Sequence, residues 1–491
     1  MTDAAALETH ARALAGAAVV CVGDTMLDRF VYGAADRISP EAPIPVVRIE
    51  RETTMPGGAG NVARNLAALG ARTAFVSVVG DDAEGFLLGG QLDAEPGLTP
   101  CLKRVGGRPT TVKTRYVAGG QQLLRADNET TAVIDDTTRD AVAHRAEAAL
   151  ADAGALILSD YHKGVLDAAL APRLIEAARA AGRPVVVDPK GRDPARYQGA
   201  TLLTPNQREL GAMTGRPVRD ADSVRAAGHA LRRQAGVTAV LVTRGPDGMT
   251  LLTGDGDHHF ATRAREVYDV SGAGDTVVAT VAAGLAAGVP LEHAAALANR
   301  AAGIVVGRLG TAVVGVDDLV GALHHQEMAE EERKVVSPHA AADQVARWRN
   351  QGVTVAFTNG CFDLLHPGHV SLLRHARQSA GRLVVGLNSD ASVARLKGEG
   401  RPVQAEAARA LVLASLAAVD LVVIFDADTP LSLIQTLHPD VLVKGADYAL
   451  DNVVGADHVH AYGGRVELAP LAEGYSTSAI VARGNGSGTA D

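Results

Sequence analysis

Short apolar runs that end in Gly, Asp or Asn alternate with Ala/Leu-rich segments along the whole chain. AAVVCVGD, TAFVSVVGD, ALILSD, RPVVVDPK and TAVLVTRG come first; VTVAF, LVVGLNSD, DLVVIFD and DVLVKGAD follow later. Runs this short and this continuously apolar suit strands buried on both faces, with the intervening segments supplying the helical cover. The implied class is α/β, with parallel sheets and ligand loops at the carboxyl ends of the strands. The pattern breaks once, at HHQEMAEEERKVVSP (residues 324–338), which is polar, charged and closed by Ser337-Pro338. At 491 residues the chain also exceeds what one ordinary core holds. The expected organisation is a large domain over residues 1–322, a linker over 323–340, a smaller domain over 341–485 and a flexible Gly/Ser-rich tail over 486–491.

Charge and cysteine content exclude several classes. Lys and Arg total 47 against 56 Asp and Glu, a balance that argues against a general grip on nucleic acid but allows a local basic pocket for phosphates. Cys21, Cys101 and Cys361 are scattered, odd in number and without CxxC spacing, so neither a disulfide framework nor a structural zinc site is expected. Asp3 and Glu8 precede the first apolar run, AGAAVVCV, which is too short for a membrane span and reads as a strand. A cytoplasmic protein with no membrane partner is the expectation.

In the first domain the most informative stretch is DVSGAGDT (Asp269 to Thr276), followed by the small-residue helical run VVATVAAGLAAG. Glycines there permit a tight turn that points several N–H groups at one spot, and a helix start adds a positive dipole end. Asp275 closes the turn beside that anion site, where a carboxylate can take a proton from a hydroxyl. A GAGD tetrapeptide alone reads equally well as a helix N-cap. Its companions are GDTMLD (Gly23 to Asp28), PGGAGNVARN (Pro56 to Asn65), TPNQRE (Thr204 to Glu209), TRGPDG (Thr243 to Gly248) and ALANRAAGIVVGRLGT (residues 296–311).

That ordered set resembles the ribokinase-like (PfkB) sugar kinases over roughly residues 15 to 320. The resemblance implies a three-layer α/β fold in which Asp275 is the base and the amides of Gly272, Ala273 and Gly274 steady the transferring phosphoryl group. It implies that Asn206 and Glu209 act around Mg²⁺ and its waters. Thr243, Gly245 and Gly248 would form the nucleotide-phosphate loop, and Asn299 would help build the adenine pocket. Asp28 and the loop Gly57, Gly58, Ala59, Gly60 and Asn61 would hold sugar hydroxyls, and Asp269 stands where a monovalent cation is often bound; a plain turn residue explains Asp269 equally well. The stretches RPTTVKTRYVAGGQQLLRAD (Arg108 to Asp127), LSDYHKG and VVDPKG look like bacterial heptose-7-phosphate kinases. Lys113, Arg115, Arg125, Lys163 and Lys190 are cations suited to a distal phosphate, although each taken singly reads as a solvated surface charge.

The smaller domain opens with VTVAFTNGCFDLLHPGHVSLLRHA: a strand, a Gly turn, a loop, then a helix entered at HPGH. Neutral imidazoles donate hydrogen bonds to phosphate and protonated ones add charge. A metal reading lacks a third ligand at suitable spacing. The stretch resembles the HxGH motif of the nucleotidyltransferase superfamily, in the branch of cytidylyltransferases and heptose-phosphate adenylyltransferases, over about residues 353 to 482. The resemblance implies a Rossmann-like domain in which His366 and His369 stabilise the α-phosphate. Lys397 and Lys444 would neutralise phosphates, and Thr358, Asn359, Gly360 and Phe362 would form the first loop, with Asp363 beside the nucleotide. Ser476, Thr477 and Ser478 would meet the β- and γ-phosphates, or serve only as an N-cap. Two departures are visible: the ending STSAIVAR places Arg483 one step late, and AEAA before Arg409 lacks a polar residue.

A sugar kinase followed by a nucleotidyltransferase resembles the bifunctional heptose kinase/adenylyltransferases of ADP-heptose synthesis. The implied partners are ATP, heptose 7-phosphate, heptose 1-phosphate and a second copy of the chain in a homodimer. Two alternatives stand beside this: the same chemistry on another sugar phosphate or with CTP, and a nucleotide-binding regulator with one inactive domain.

Overall fold

The computed structural model describes residues 4–262, 269–308, 312–446, 449 and 452–470. The chain separates into two compact units, Met1–Leu323 and His324–Asp491. In the first unit the described strands are β1 (Ala18–Gly23), β2 (Thr25–Ile38), β3 (Pro45–Gly58), β4 (Arg72–Gly80), β5 (Leu98–Val105), β6 (Val112–Ala118) and β7 (Gln121–Asn128). They continue with β8 (Ala155–Ser159), β9 (Val185–Asp188), β10 (Leu202–Leu203), β11 (Ala239–Thr243), β12 (Met249–Leu252) and β13 (Asp257–Phe260). Nine of them form one sheet in the order β13-β12-β11-β10-β9-β8-β1-β4-β5. All pairings from β11 to β5 are parallel, and β12 and β13 add antiparallel strands at one edge.

The apolar runs are strands because both of their faces are covered. Val19 and Cys21 of β1 point into one core, with the helices Ala59–Ala68, Ala273–Ala286 and Leu291–Val305; Val20 and Val22 point into the other, with Asp136–Leu150, Leu170–Ala180 and Ala221–Gln234. Alternation of successive side chains across the sheet produces the three layers. From β1 the chain first adds β4 on one side and later adds β8 on the other. The order therefore switches between β1 and β8, and a crevice for ligands opens at the carboxyl ends of those strands.

A second sheet, β3-β2-β6-β7, is not foreshadowed by the apolar runs. Its long antiparallel pair β2–β3 and its edge strand β7 (QQLLRADN) are polar over much of their length, and every residue of β7 is exposed.

The second unit holds one six-stranded parallel sheet, ordered β14-β17-β16-β15-β18-β19. Its strands are β14 (Val335–Val336), β15 (Val355–Gly360), β16 (Arg382–Asn388), β17 (Leu421–Phe425), β18 (Val441–Gly445) and β19 (Arg465–Ala469). The order switches between β15 and β18, so the HPGH loop after β15 and Lys444 near the end of β18 flank one crevice. Segment 323–340, read from sequence as a linker, carries the end of the helix Val316–Glu332 and then β14, whose two β-branched residues pair with Val422 and Val423. No helix among the described residues is long and apolar enough to cross a membrane.

Candidate active sites

Asp275 is the third residue of the helix Ala273–Ala286, whose segment Val277–Gly284 is wholly buried and fixes the helix in the core. The preceding Gly272 is left-handed (φ 81°), a conformation that costs glycine little, and it leads into a helix start whose first N–H groups have no intrahelical partners. The Asp275 carboxylate is 7% exposed. Its Oδ2 accepts from Asn61 Nδ2 at 2.6 Å and its Oδ1 from the Tyr161 hydroxyl at 2.5 Å. Burial pushes its pKa up to about 6; the bonds from Asn61 and Tyr161 pull it back, and the charge of Asp28 pushes the same way as burial. A carboxylate of that affinity is poised to accept a proton near neutrality.

Asn61 sits in the first turn of Ala59–Ala68, behind the Gly57-Gly58 bend. Gly58 has φ 58°, and a Cβ there would lie 2.7 Å from the Asp24 carbonyl; one on Gly57 would lie 2.2 Å from Asp28 Oδ2. Only glycines let this loop close on β2. Asn65, one turn after Asn61, donates to the Asn61 carbonyl at 2.9 Å and accepts from Thr276 Oγ1 at 2.8 Å, locking the two helices together. Asn61 Oδ1 is buried without a partner, an acceptor left for a ligand hydroxyl. Asp28, on β2, accepts from Arg115 Nη1 at 2.5 Å, so Arg115 is engaged by that carboxylate.

The cations expected to meet a distal phosphate lie together on β6, β7 and the loop after β8. Lys163 Nζ is 2.7 Å from Glu129, Lys113 is 3.9 Å from Glu129 and 3.8 Å from Asp127, and the half-exposed Arg125 is 2.9 Å from Asp127. Lys190 is drawn away to Glu209, at 2.5 Å.

Asn206 and Glu209 form a reciprocal capping box on the helix Gln207–Thr214, with bonds of 2.9 and 3.0 Å. Asn206 also bridges to Thr243, which joins the N-x-x-E turn to the TRGPDG loop. In that loop Gly245 (φ 56°) and Gly248 (φ 80°) are left-handed, and a Cβ on Gly248 would lie 2.0 Å from the Phe260 carbonyl. Asp188, ending β9, faces the same space; burial, then the charges of Glu209 and Asp275, hold its carboxyl well above the usual range. Asn299 is buried and donates to the Ala261 carbonyl at 2.8 Å. Asp269 accepts from the Ser271 N–H at 2.8 Å, as a turn residue does.

In the second unit His366 caps the helix Pro367–Gln378, with Pro367 at its first position. The rings of His366 and His369 stack with centroids 3.8 Å apart, and Phe362, itself at φ 43°, packs edge-on to His369 at 5.1 Å. Burial pushes the His369 pKa down to about 4; His366 adds to this and the Leu364 carbonyl opposes it. Burial also lowers His366. Both are therefore neutral donors near pH 7, and of the two modes open to an imidazole pair the hydrogen-bonding one applies. Lys444 Nζ donates to Asn359 Oδ1 at 2.6 Å, tying the end of β18 to the first loop, and Thr358 Oγ1 is buried without a partner. Lys397 is the exposed last residue of the helix Asp390–Lys397, before left-handed Gly398. A cleft of about 640 Å³ runs from His366 past Val370 and Arg374 to Pro470.

Asp363 departs from expectation. Its carboxylate is 2% exposed and accepts from Arg401 Nε at 2.5 Å, Val403 N at 2.7 Å and Gln404 N at 3.2 Å. Burial works against its ionisation, yet these donors keep its pKa below the ordinary value. It fastens the loop after β15 to the Arg401–Gln404 turn. Arg409, wholly buried, was not assigned a role from sequence. It donates to the carbonyls of Cys361, Asn388 and Gln404 at 2.6, 2.9 and 2.9 Å and to Asp390 Oδ1 at 2.7 Å. Ser476, Thr477 and Ser478 lie outside the described residues.

Sequence reasoning also missed Tyr161, Asn65 and Asp188 as site residues. The signal for Asn65 was available: two asparagines four apart on an otherwise apolar helix face. Tyr161 lies in the LSDYHKG stretch, but nothing local there tells that its hydroxyl reaches Asp275.

Residues 17–318 match the pfkB family carbohydrate kinase model, and residues 357–483 match the cytidylyltransferase-like model. Over 487 residues the chain is 57% identical to the bifunctional protein HldE of Paramagnetospirillum magneticum, covering 99% of this chain and 100% of that one. It is 56% identical to that of Rhodospirillum rubrum, covering 99% and 98%. Among solved structures, phosphofructokinase-2 of Escherichia coli in complex with potassium aligns with a TM-score of 0.53 at 22% identity, covering 63% of this chain and 98% of that one. Ribokinase of Arabidopsis thaliana complexed with ribose and ATP gives 0.51 at 22%, covering 62% and 98%. At these identities the two structures speak to the fold of the first unit alone.

Proposed function

The chain belongs to the bifunctional HldE family, a PfkB carbohydrate kinase joined to a cytidylyltransferase-like domain, and from that premise we propose how its two sites work. The first unit phosphorylates D-glycero-β-D-manno-heptose 7-phosphate at O1. Asp275 takes the proton of the anomeric hydroxyl as that oxygen bonds the γ-phosphorus of ATP, the bond to the β–γ bridging oxygen breaks, and ADP leaves with the 1,7-bisphosphate. The observation that carries this is the Asp275 carboxylate, buried at a helix start between Asn61 and Tyr161 with a pKa of about 6. Gly272, Ala273 and Gly274 line the same turn, where N–H groups meet charge developing on the phosphoryl oxygens. Asp28, Gly57, Gly58 and Asn61 hold the sugar. Lys113, Arg125 and Lys163 exchange their carboxylate partners for the 7-phosphate. Thr243, Gly245, Gly248 and Asn299 hold the nucleotide.

The second unit transfers AMP from ATP to heptose 1-phosphate and releases pyrophosphate. Neutral His366 and His369 donate to the α-phosphate, with Lys444 and Lys397 countering the remaining charge. Thr358, Asn359, Gly360 and Phe362 shape the loop beneath it, and Ser476, Thr477 and Ser478 are assigned to the β- and γ-phosphates. The 7-phosphate is removed between the two steps, so the sites need not exchange an intermediate directly.

Both families use ATP with a divalent metal, and we infer Mg²⁺, which screens the triphosphate charge in both sites. Asn206, Glu209 and Asp188 supply the carboxylate and amide oxygens for the waters of that ion in the kinase site. We further infer a monovalent cation near Asp269, a homodimer and a cytoplasmic location.

The test is to incubate the full chain with Mg-ATP and heptose 7-phosphate and to weigh the product, with Asp275→Asn alongside. A bisphosphate formed by the parent and not by the variant supports the assignment. Consumption of other sugar phosphates but not of this one would leave the folds standing and remove the substrate.

A further inference from the structure

The loop that follows β8 is built to deliver one hydroxyl. Asp24, 1% exposed, accepts from the backbone N–H groups of Tyr161, Lys163 and Val165 at 2.9, 3.0 and 3.0 Å. Asp160, next to Tyr161, is completely enclosed; it accepts from Tyr197 at 2.6 Å and from the His162 N–H at 2.7 Å, and lies 3.2 Å from Arg196. His162 adopts φ 59°, a conformation rare for a residue with a side chain, and this reverses the chain immediately after Tyr161. Held in this way, the Tyr161 ring passes along the sugar loop, its Cδ2 3.4 Å from where a Cβ on Gly58 would stand, and its hydroxyl meets Asp275 Oδ1 at 2.5 Å. The other oxygen is held by Asn61 from the helix Ala59–Ala68.

We propose that Tyr161 is a positioning residue of the kinase reaction, whose hydroxyl fixes the orientation and the proton affinity of the Asp275 carboxylate. The inference rests on Asp275 being the base. A donor bonded to the ionised carboxylate stabilises that form, so it keeps a larger fraction of the base unprotonated as the pH falls. The groups that face Asp275 from other elements are Asp28 on β2, Cys21 on β1 and Asp188 on β9. The Asp28 carboxylate works in the opposite direction, the Asp188 carboxyl is itself held well above its usual range, first by burial, and the Cys21 thiol, pushed far up by burial, stays neutral. Tyr161 and Asn61 are the hydrogen-bond donors that offset Asp28 and the burial. The phenol itself keeps its proton throughout the working range, since burial and then the charges of Asp275 and Asp188 raise it well above its ordinary value. It therefore acts as a permanent donor and takes no part in moving the substrate's proton.

The experiment compares the pH profiles of kcat/KM for kinase turnover in the full-length parent, in Tyr161→Phe and in a protein carrying 3-fluorotyrosine at position 161. Tyr161→Phe is expected to move the acid limb up by about one pH unit and to lower kcat about tenfold, with KM for ATP unchanged. The fluorinated phenol, a stronger donor, is expected to move the limb down by a few tenths of a unit, and it decides the matter if the phenylalanine variant fails to fold. Acid limbs that coincide with the parent's would overturn the proposal, whatever happens to kcat. Asp275→Asn in parallel separates the two layers. If it is inactive while the limbs coincide, only the role of Tyr161 falls. If it turns over with the parental profile, the base assignment falls and takes this inference with it.

Discussion

Asp275 and His369 carry opposite consequences of the same burial. Asp275 is a carboxyl raised from an ordinary 3.8 to about 6, so between those values the folded protein binds more protons than the unfolded chain. Stability contributed at low pH is then lost as pH rises through the folded pKa, a penalty of about 3 kcal/mol at neutrality. Asp275→Asn should therefore cut kinase turnover by about 10²–10⁴-fold and yet raise the melting temperature of the first unit at pH 7.5, with the gain shrinking toward pH 4. Calorimetry across that range checks it; a variant less stable at every pH contradicts it. His369 is an imidazole lowered from 6.5 to about 4, so here the unfolded chain binds more protons in the window. Stability of the second unit should fall as pH drops from 6.5 to 4, by about 2 kcal/mol after discounting for the ring's partial contact with solvent. His369→Gln should flatten that dependence. Both residues were legible in the sequence because their motifs are local. Tyr161 was not, since its partner lies 114 positions away.

At the scale of elements, the second site depends on one buried cation. Arg409 reaches from the helix Glu406–Ala414 to the loop after β15, the end of β16 and the turn at Gln404. Arg409→Ala would leave three backbone carbonyls, that of buried Asn388 among them, and the half-exposed Asp390 without their donor, which costs about 1–3 kcal/mol. The expected result is loss of adenylyl transfer and a lower melting temperature for the second unit, with kinase turnover at the parental rate. The capping box predicts a milder case. Asn206→Ala removes the cap of Gln207–Thr214, worth about 1 kcal/mol, and raises KM for Mg-ATP in the kinase assay beyond what that destabilisation alone would cause. An unchanged KM would reduce Asn206 to a cap. The parallel strands of both sheets were readable because burial on two faces forces continuous apolar runs. The β3-β2-β6-β7 sheet was not, because strands with a solvated face and an exposed edge carry mixed sequence that local pattern cannot tell from loop.

For the whole molecule, two compact units with separate cores, each holding one candidate site, predict separable activities. His366→Ala should abolish adenylyl transfer and leave kinase turnover unaltered, and Asp275→Asn should do the reverse; measuring both rates on each protein tests this, and loss of both from either change would argue against it. The sequence by itself determined the α/β class, the order of the two units, the Gly-rich helix starts and the histidine pair, because these depend on local period, turn chemistry and short motifs. Only the tertiary structure decided what each charged or polar group faces. It bound Asp363 to Arg401, Lys190 to Glu209 and Arg115 to Asp28, and it set Tyr161 and Asn61 on the two oxygens of Asp275. Such pairings join positions far apart in the chain, and the energies that fix them, burial and long-range hydrogen bonding, arise only when the strands have met.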